Sequence, residues 1–187
     1  MLEIFKSNPA VSLLNEEHDK VKRLFDQFET AKGRASKRKI VREALTELKV
    51  HAAIEEELFY PAVRKAIGKE IMNEADEEHH VAKLLIAELD SMNGSESHFE
   101  AKFVVLAENV RHHIKEEENE MLPQAKGVKL DFKALAESMQ RRKDRLLADG
   151  VPAVGEEAMV KVSRGKGDSP AKAARRKAPK ATKLKRR

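Results

Sequence analysis

Two short runs along the chain share one pattern. His51-Ala-Ala-Ile-Glu55-Glu56 leads to Pro61, and His113-Ile-Lys-Glu-Glu117-Glu118 leads to Pro123, with ten positions from His to Pro in each. Upstream of each run lies a Glu-His doublet, Glu17-His18 and then Glu78-His79. The chain therefore repeats at a period near 62: a histidine on one segment, then His-x-x-x-Glu on the next. Two copies are too few to stack as a solenoid, so the repeat predicts a pair of helices used twice and closed by a pseudo-twofold axis.

Residues four apart on a helix share a face, so His51 points with Glu55 and His113 with Glu117. That face is apolar. Ala44, Leu48, Leu58, Phe59 and Ala62 flank the first pair, and Phe103, Leu106, Val110 and Met121 flank the second. His18 lies between Leu14, Val21 and Phe25. For the adjacent histidines of the third segment, helical offsets from His79 meet Met72, Ala75, Ala82, Ile86 and Leu89, whereas those from His80 meet Asn73, Asp76, Lys83, Ala87 and Asp90. His79 is therefore the inward one. His80, His98 and His112 are expected in solvent, and Glu56, Glu57, Glu116 and Glu118 on a charged outer face. Tyr60 reads either as a group that reaches the site or as an anchor for the end of its helix, and the anchor is the expectation.

Two ionised carboxylates in an apolar core are costly unless a cation offsets them, and no Lys or Arg lies on these stripes. His18, His51, Glu55, His79, His113 and Glu117 are thus expected to bind metal. The chain has no Cys, which excludes thiolate zinc, iron-sulfur ligation and cysteine nucleophiles. Four imidazoles and two carboxylates suit iron or manganese better than calcium or magnesium, and exceed what one tetrahedral zinc requires. Two ions are implied. If both glutamates bridge, each octahedral ion keeps positions for an oxo or hydroxo bridge and an exchangeable ligand. The Glu-x-x-His spacing of ferritin-like bundles occurs only at Glu77 and His80, which weakens that alternative.

Long helices must carry these residues. Charged residues make up 37% of the 187 and aromatics 4%, with eight Gly and six Pro, too few to punctuate a strand-rich fold. Asn8 before Pro9 starts a helix that runs to about Gly33. A second is expected from a Ser36 cap to about Gly68, bent near Pro61; a third from Lys69 to Asn93; a fourth from Ser97 to Gln124. Short connections make this all-α chain an antiparallel (up-down-up-down) four-helix bundle over 8–126. A shorter fifth helix is expected over 131–149, followed by a disordered basic tail over 151–187.

At these residues the chain resembles the hemerythrin family, specifically the bacterial HHE cation-binding domains. The resemblance runs from about Asn8 to Pro123 and includes Leu-Leu-Asn-Glu-Glu-His18, His51-Ala-Ala-Ile-Glu55-Glu-Glu-Leu-Phe-Tyr-Pro61, Glu-Glu-His79-His and His113-Ile-Lys-Glu-Glu117. It implies a four-helix bundle around a non-heme di-iron centre, oxo- or hydroxo-bridged, able to meet dioxygen, peroxide or nitric oxide. It also departs from the family's oxygen carriers. Their third helix has His-x-x-x-His where this chain has Ala75 and His79, and their fourth has His-x-x-x-x-Asp where it has His113 and Glu117. One iron loses an imidazole, which favours an open, reactive or sensing site over reversible oxygen carriage. An iron domain that senses or sequesters is the first expectation. A di-iron enzyme that decomposes peroxide or oxidises ferrous iron is the second.

Charge divides the chain again. From Lys161 to Arg187 there are 12 Lys and Arg against one acid, Asp168, a local +11, while residues 1–160 carry −6. This segment resembles linker-histone tails, and spaced cations without aromatics hold phosphate backbones without reading bases, so non-specific nucleic acid is the expected partner. Glu3 and Lys6 interrupt any signal-peptide core, and the longest apolar run is the five residues Phe103 to Ala107; a cytoplasmic protein without a membrane partner is expected.

Overall fold

The computed structural model describes residues 8–151, and the expected basic tail lies outside them. Five helices follow in chain order: α1 (Pro9–Thr30), α2 (Arg34–Ile54), α3 (Lys69–Asp90), α4 (Phe99–Glu116) and α5 (Phe132–Asp149). Both α2 and α4 continue beyond these limits. Each passes through a wider π turn, Glu55–Phe59 and Glu117–Met121, into a closing α turn, Tyr60–Val63 and Leu122–Lys126. No strand occurs among the described residues.

Local chemistry accounts for most boundaries. Asn8 Oδ1 accepts from the Val11 N–H at 3.2 Å, and Asp131 Oδ1 accepts from Lys133 and Ala134 at 3.1 and 3.0 Å. The second helix starts at Arg34 rather than at a Ser36 cap, because Gly33, at φ +86°, already turns the chain. Gly94, at φ +84°, turns the connection between α3 and α4, where an added Cβ would meet Arg38 Cδ at 2.5 Å.

The two π turns are paired features of the repeat. Proline lacks an N–H, and its ring crowds the carbonyl four residues back. Just before Pro61 and Pro123 the backbone widens, so that Tyr60 N–H reaches Glu55 O and Leu122 N–H reaches Glu117 O. The extra residue moves the helix phase on by one. Leu58 and Ala62, expected inside, are half-buried, while Phe59 and Val63 are fully buried.

Helices α1 to α4 form the bundle, with α5 packed across α1 and α2. Its core has two apolar clusters. One contains Leu14, Ile54, Phe59, Met72 and Leu122, together with Met139 and Leu146 of α5. The other contains Phe25, Phe28, Leu48, Leu89 and Phe103, where the Phe28 and Phe103 rings lie 4.5 Å apart. Among the described residues, the buried polar side chains are Glu17, His18, His51, Glu55, His79, His113 and Glu117. No helix among the described residues is long and apolar enough to cross a membrane.

Candidate metal centre

All six residues singled out by spacing meet in the bundle interior, each no more than 7% exposed. Helix α1 supplies His18, α3 supplies His79, and α2 and α4 supply His51 and His113; Glu55 and Glu117 open the two π turns. Glu55 Oε2 lies 3.3 Å from both His51 Nε2 and His79 Nε2. Glu117 Oε2 lies 3.2 Å from His18 Nε2 and 3.5 Å from His113 Nε2. Each carboxylate thus spans a histidine from either half of the repeat. Donor atoms of His18, His51, Glu55 and Glu117 converge within 4.8 Å of one another, as do those of Glu55, His79 and His113.

These atoms are poorly satisfied by one another. His18 Nε2, His51 Nε2, both oxygens of Glu55 and Glu117 Oε2 are buried and lack a hydrogen-bond partner. Each such atom costs about 1–3 kcal/mol, so a fold that orients all of them toward one interior space requires a compensating group. A cation would supply it. The nitrogen and oxygen donors fit a metal ion, and no basic side chain takes the place.

Electrostatics point the same way. Burial opposes charge on His51 and His79, yet surrounding carboxylates outweigh it: Glu55 and Glu17 lift His51 to about 9, and Glu55 and Glu56 lift His79 to about 10. Burial also favours a neutral Glu117, but His113, His18 and His51 hold its carboxyl far below the usual range. Without metal, protons on the imidazoles do the work of the cation.

A layer of glutamates behind the histidines went unassigned by face counting. His51 Nδ1 meets Glu17 Oε2 at 2.8 Å, His79 Nδ1 meets Glu56 Oε1 at 2.9 Å, His113 Nδ1 meets Glu78 Oε2 at 2.7 Å and His18 Nδ1 meets Glu118 Oε1 at 3.2 Å. Each of these four histidines therefore turns Nε2 inward and fixes its tautomer through a carboxylate on a neighbouring helix. This corrects the outer-face reading of Glu56 and Glu118: both are partly exposed, and both hold a histidine. The available signal was the doublet, since each of these glutamates is adjacent in sequence to an inward residue. Lysines back three of them: Lys143 Nζ lies 2.8 Å from Glu17 Oε1, Lys83 Nζ 3.0 Å from Glu56 Oε1 and Lys22 Nζ 3.0 Å from Glu118 Oε1.

Tyr60 also departs from expectation. Its hydroxyl donates to Glu117 Oε1 at 2.8 Å and lies 3.0 Å from His79 Nε2 and 3.5 Å from His113 Nε2. The π turn brings it there. On an unbroken α-helix Tyr60 would lie about 140° round from Glu55; the Tyr60 N–H to Glu55 O bond returns it to the same face. Burial, then the charges of Glu55 and Glu117, push its hydroxyl well above the ordinary value, which keeps it protonated. Its counterpart in the other half, 62 positions on, is Leu122. His80, by contrast, is half-buried and outside the cluster, and Ala75 is packed in the apolar core.

Comparisons with known proteins agree with this geometry. A hemerythrin HHE cation-binding domain protein of Mycobacterium kansasii, known from a crystal structure, superposes with a TM-score of 0.62 at 24% identity, over 84% of this chain and 93% of that one. A protein of Nostoc sp. named DNA nickase is 25% identical over 135 residues, 67% of this chain; the match spans 38% of that longer protein. Residues 10–125 match the hemerythrin HHE cation binding domain, and with the bundle and its converging histidines and glutamates this places the chain in that family.

Proposed function

We propose that this chain holds two iron ions through His18, His51, Glu55, His79, His113 and Glu117, and that the centre senses or reacts with dioxygen, peroxide or nitric oxide. The observation that carries the reading is the convergence of unpartnered buried Nε2 and carboxylate atoms from both halves on one space. Bound iron would supply redox and Lewis-acid chemistry toward small oxygen or nitrogen species. The chain's own part is to hold four imidazoles by their Nδ1 atoms, to keep bulk water out with two apolar clusters, and to present the Tyr60 proton. An apolar pocket of about 30 Å³, lined by Leu48, Ala82, Ile86 and Val110 beside His51, His79 and His113, suits a small neutral molecule.

Metal analysis of full-length protein loaded anaerobically with ferrous iron tests this. Two irons per chain are expected, with both lost in the Glu55→Ala/Glu117→Ala double variant; wild-type protein that retains none overturns it.

Tyr60 favours a second reading, a peroxide-decomposing or ferroxidase enzyme, because it places a proton donor at the site. Turnover of peroxide by the loaded protein that falls about 10²-fold or more in Tyr60→Phe supports the enzyme. Unchanged turnover in that variant favours sensing or binding.

Residues 161–187, outside the described range, are proposed to hold nucleic acid through their +11 charge, a reading supported by spaced cations without aromatics. Full-length protein should bind DNA of any sequence, with a log-log salt slope of about −0.9 per phosphate neutralised. A chain ending at Gly150 should lose that binding and keep its iron. DNA binding undiminished in the shorter chain defeats the assignment.

A further inference from the structure

A cleft of about 80 Å³ opens between α3 and the end of α4, and its character is opposite to that of the apolar pocket. Its lining includes Glu74, Glu78, Glu116, Glu117 and Glu120, and no Lys or Arg among the described residues. These carboxylates form a gradient of depth. Glu74 and Glu120 are exposed, Glu78 and Glu116 half-buried, and Glu117, 1% exposed, forms the floor. Glu117 Oε2 is one of the buried atoms without a hydrogen-bond partner. Against its half-buried wall, donor atoms of Glu78, Glu116 and the exposed His112, which stands outside the lining, come within 4.8 Å of one another, with His112 Nε2 at 3.1 Å from Glu116 Oε1 and 3.8 Å from Glu78 Oε1.

We infer that this cleft is the loading route for the metal centre: a divalent cation is drawn in by Glu74 and Glu120, held by Glu78, His112 and Glu116, and passed to Glu117. The inference rests on the metal-centre reading above. Three arguments carry it. A buried centre needs a path, and a cation loses less hydration energy along a path that replaces water with carboxylate oxygens at each stage. A narrow cleft lined by one sign of charge raises the local concentration of the opposite sign and accelerates capture by about 10–10³-fold. The equivalent position in the other half is closed, because Glu17, the counterpart of Glu78, is 5% exposed and meets Lys143 of α5. Attraction for cations is thereby confined to one side.

Stopped-flow uptake of Co²⁺ by metal-free full-length protein, followed through its visible absorption, tests the route without any assay of activity. The triple variant Glu74→Gln/Glu116→Gln/Glu120→Gln should load at least tenfold more slowly and reach the same final cobalt content. Glu108→Gln, an exposed glutamate of α4 outside the cleft, should load as fast as wild type. His112→Ala alone should slow loading several-fold and leave the endpoint unchanged. Equal loading rates in wild type and the triple variant, with full final content in both, overturn the route and leave the centre standing. A wild-type protein that takes up no cobalt overturns the centre and the route together.

Discussion

Glu17 and Glu78 occupy equivalent positions in the two halves of the bundle, each one residue before an inward histidine and each bonded to the histidine of the next helix. Around them the halves diverge. Helix α5 packs on α1 and α2, and its Lys143 closes over Glu17; Glu78 stays half-buried beside an acidic cleft. A second divergence lies between Tyr60, whose hydroxyl enters the site, and Leu122, which occupies the matching position with a hydrocarbon. The repeat supplies the converging histidines and glutamates, and elements that do not repeat decide where the space between them is closed and where a proton can be given.

The largest effect should come from residues common to both halves. Glu55→Ala and Glu117→Ala remove carboxylates that each span two histidines, and metal retention under chelator challenge should fall by more than about 100-fold. Glu56→Ala and Glu118→Ala should fall by about 10–100-fold, the range for groups that orient ligands. Face counting alone would have made Glu56 neutral; its bond to His79 is the reason for the higher value. Glu116→Ala should retain metal like wild type, and equal losses at Glu55 and Glu116 would refute the division between centre and cleft.

The comparison itself is sharpened by Glu17→Gln against Glu78→Gln. Glu17 is buried, so loss of its charge leaves the His51 and Lys143 contacts weakened where water does not reach the carboxyl, and chemical denaturation of metal-free protein should show a cost of about 1–3 kcal/mol. At Glu78 the cost should be below about 1 kcal/mol, since water reaches that side. Reversal of the order would mean that α5 does not seal the first half.

Smaller still is the response to pH. In metal-free protein His51 and His79 are raised from 6.5 to about 9 and about 10, so the stability of their protonated forms is complete below pH 6.5 and is lost as pH rises through 9 to 10. The thermal midpoint should therefore drop by roughly 5 °C or more between pH 7 and pH 10. Metal-loaded protein should lack this drop, because the cation has displaced the protons and its affinity rises with pH. The smallest effect belongs to Lys143→Ala, which should speed metal release a few-fold by loosening the closed side. No change in release rate would count against Lys143 as a seal.

Much of this is legible in the sequence alone. Periodicity placed His18, His51, His79 and His113 on apolar faces and chose His79 over His80, because a regular α-helix keeps its phase from one end to the other. Legibility failed where that phase slips. Across Glu55–Phe59 the helix takes in an extra residue, so counting by 3.6 buries Leu58 and Ala62 beside Phe59 and turns Tyr60 away, whereas Tyr60 and Val63 are the ones that join Phe59 inside. Glu17, Glu56, Glu78 and Glu118 were hidden for a different reason. Each sits about 100° round from an inward residue, at the boundary between two helices, and a helix read alone shows that boundary as surface. Nor does a fifth helix announce which pair it covers.

The carboxylates that hold the histidines also form a closed circuit. Glu17 of α1 grips α2, Glu56 beyond α2 grips α3, Glu78 of α3 grips α4, and Glu118 beyond α4 returns to α1. A circuit of this kind has a direction. Four helices joined by short turns can wind clockwise or anticlockwise with nearly the same apolar contacts, and a hydrophobic core discriminates weakly between the two. With the opposite winding, Glu17 would face α4 instead of α2, and every link would break together. The glutamates therefore encode the handedness of the bundle, and discriminate against its mirror topology during folding even before any cation arrives.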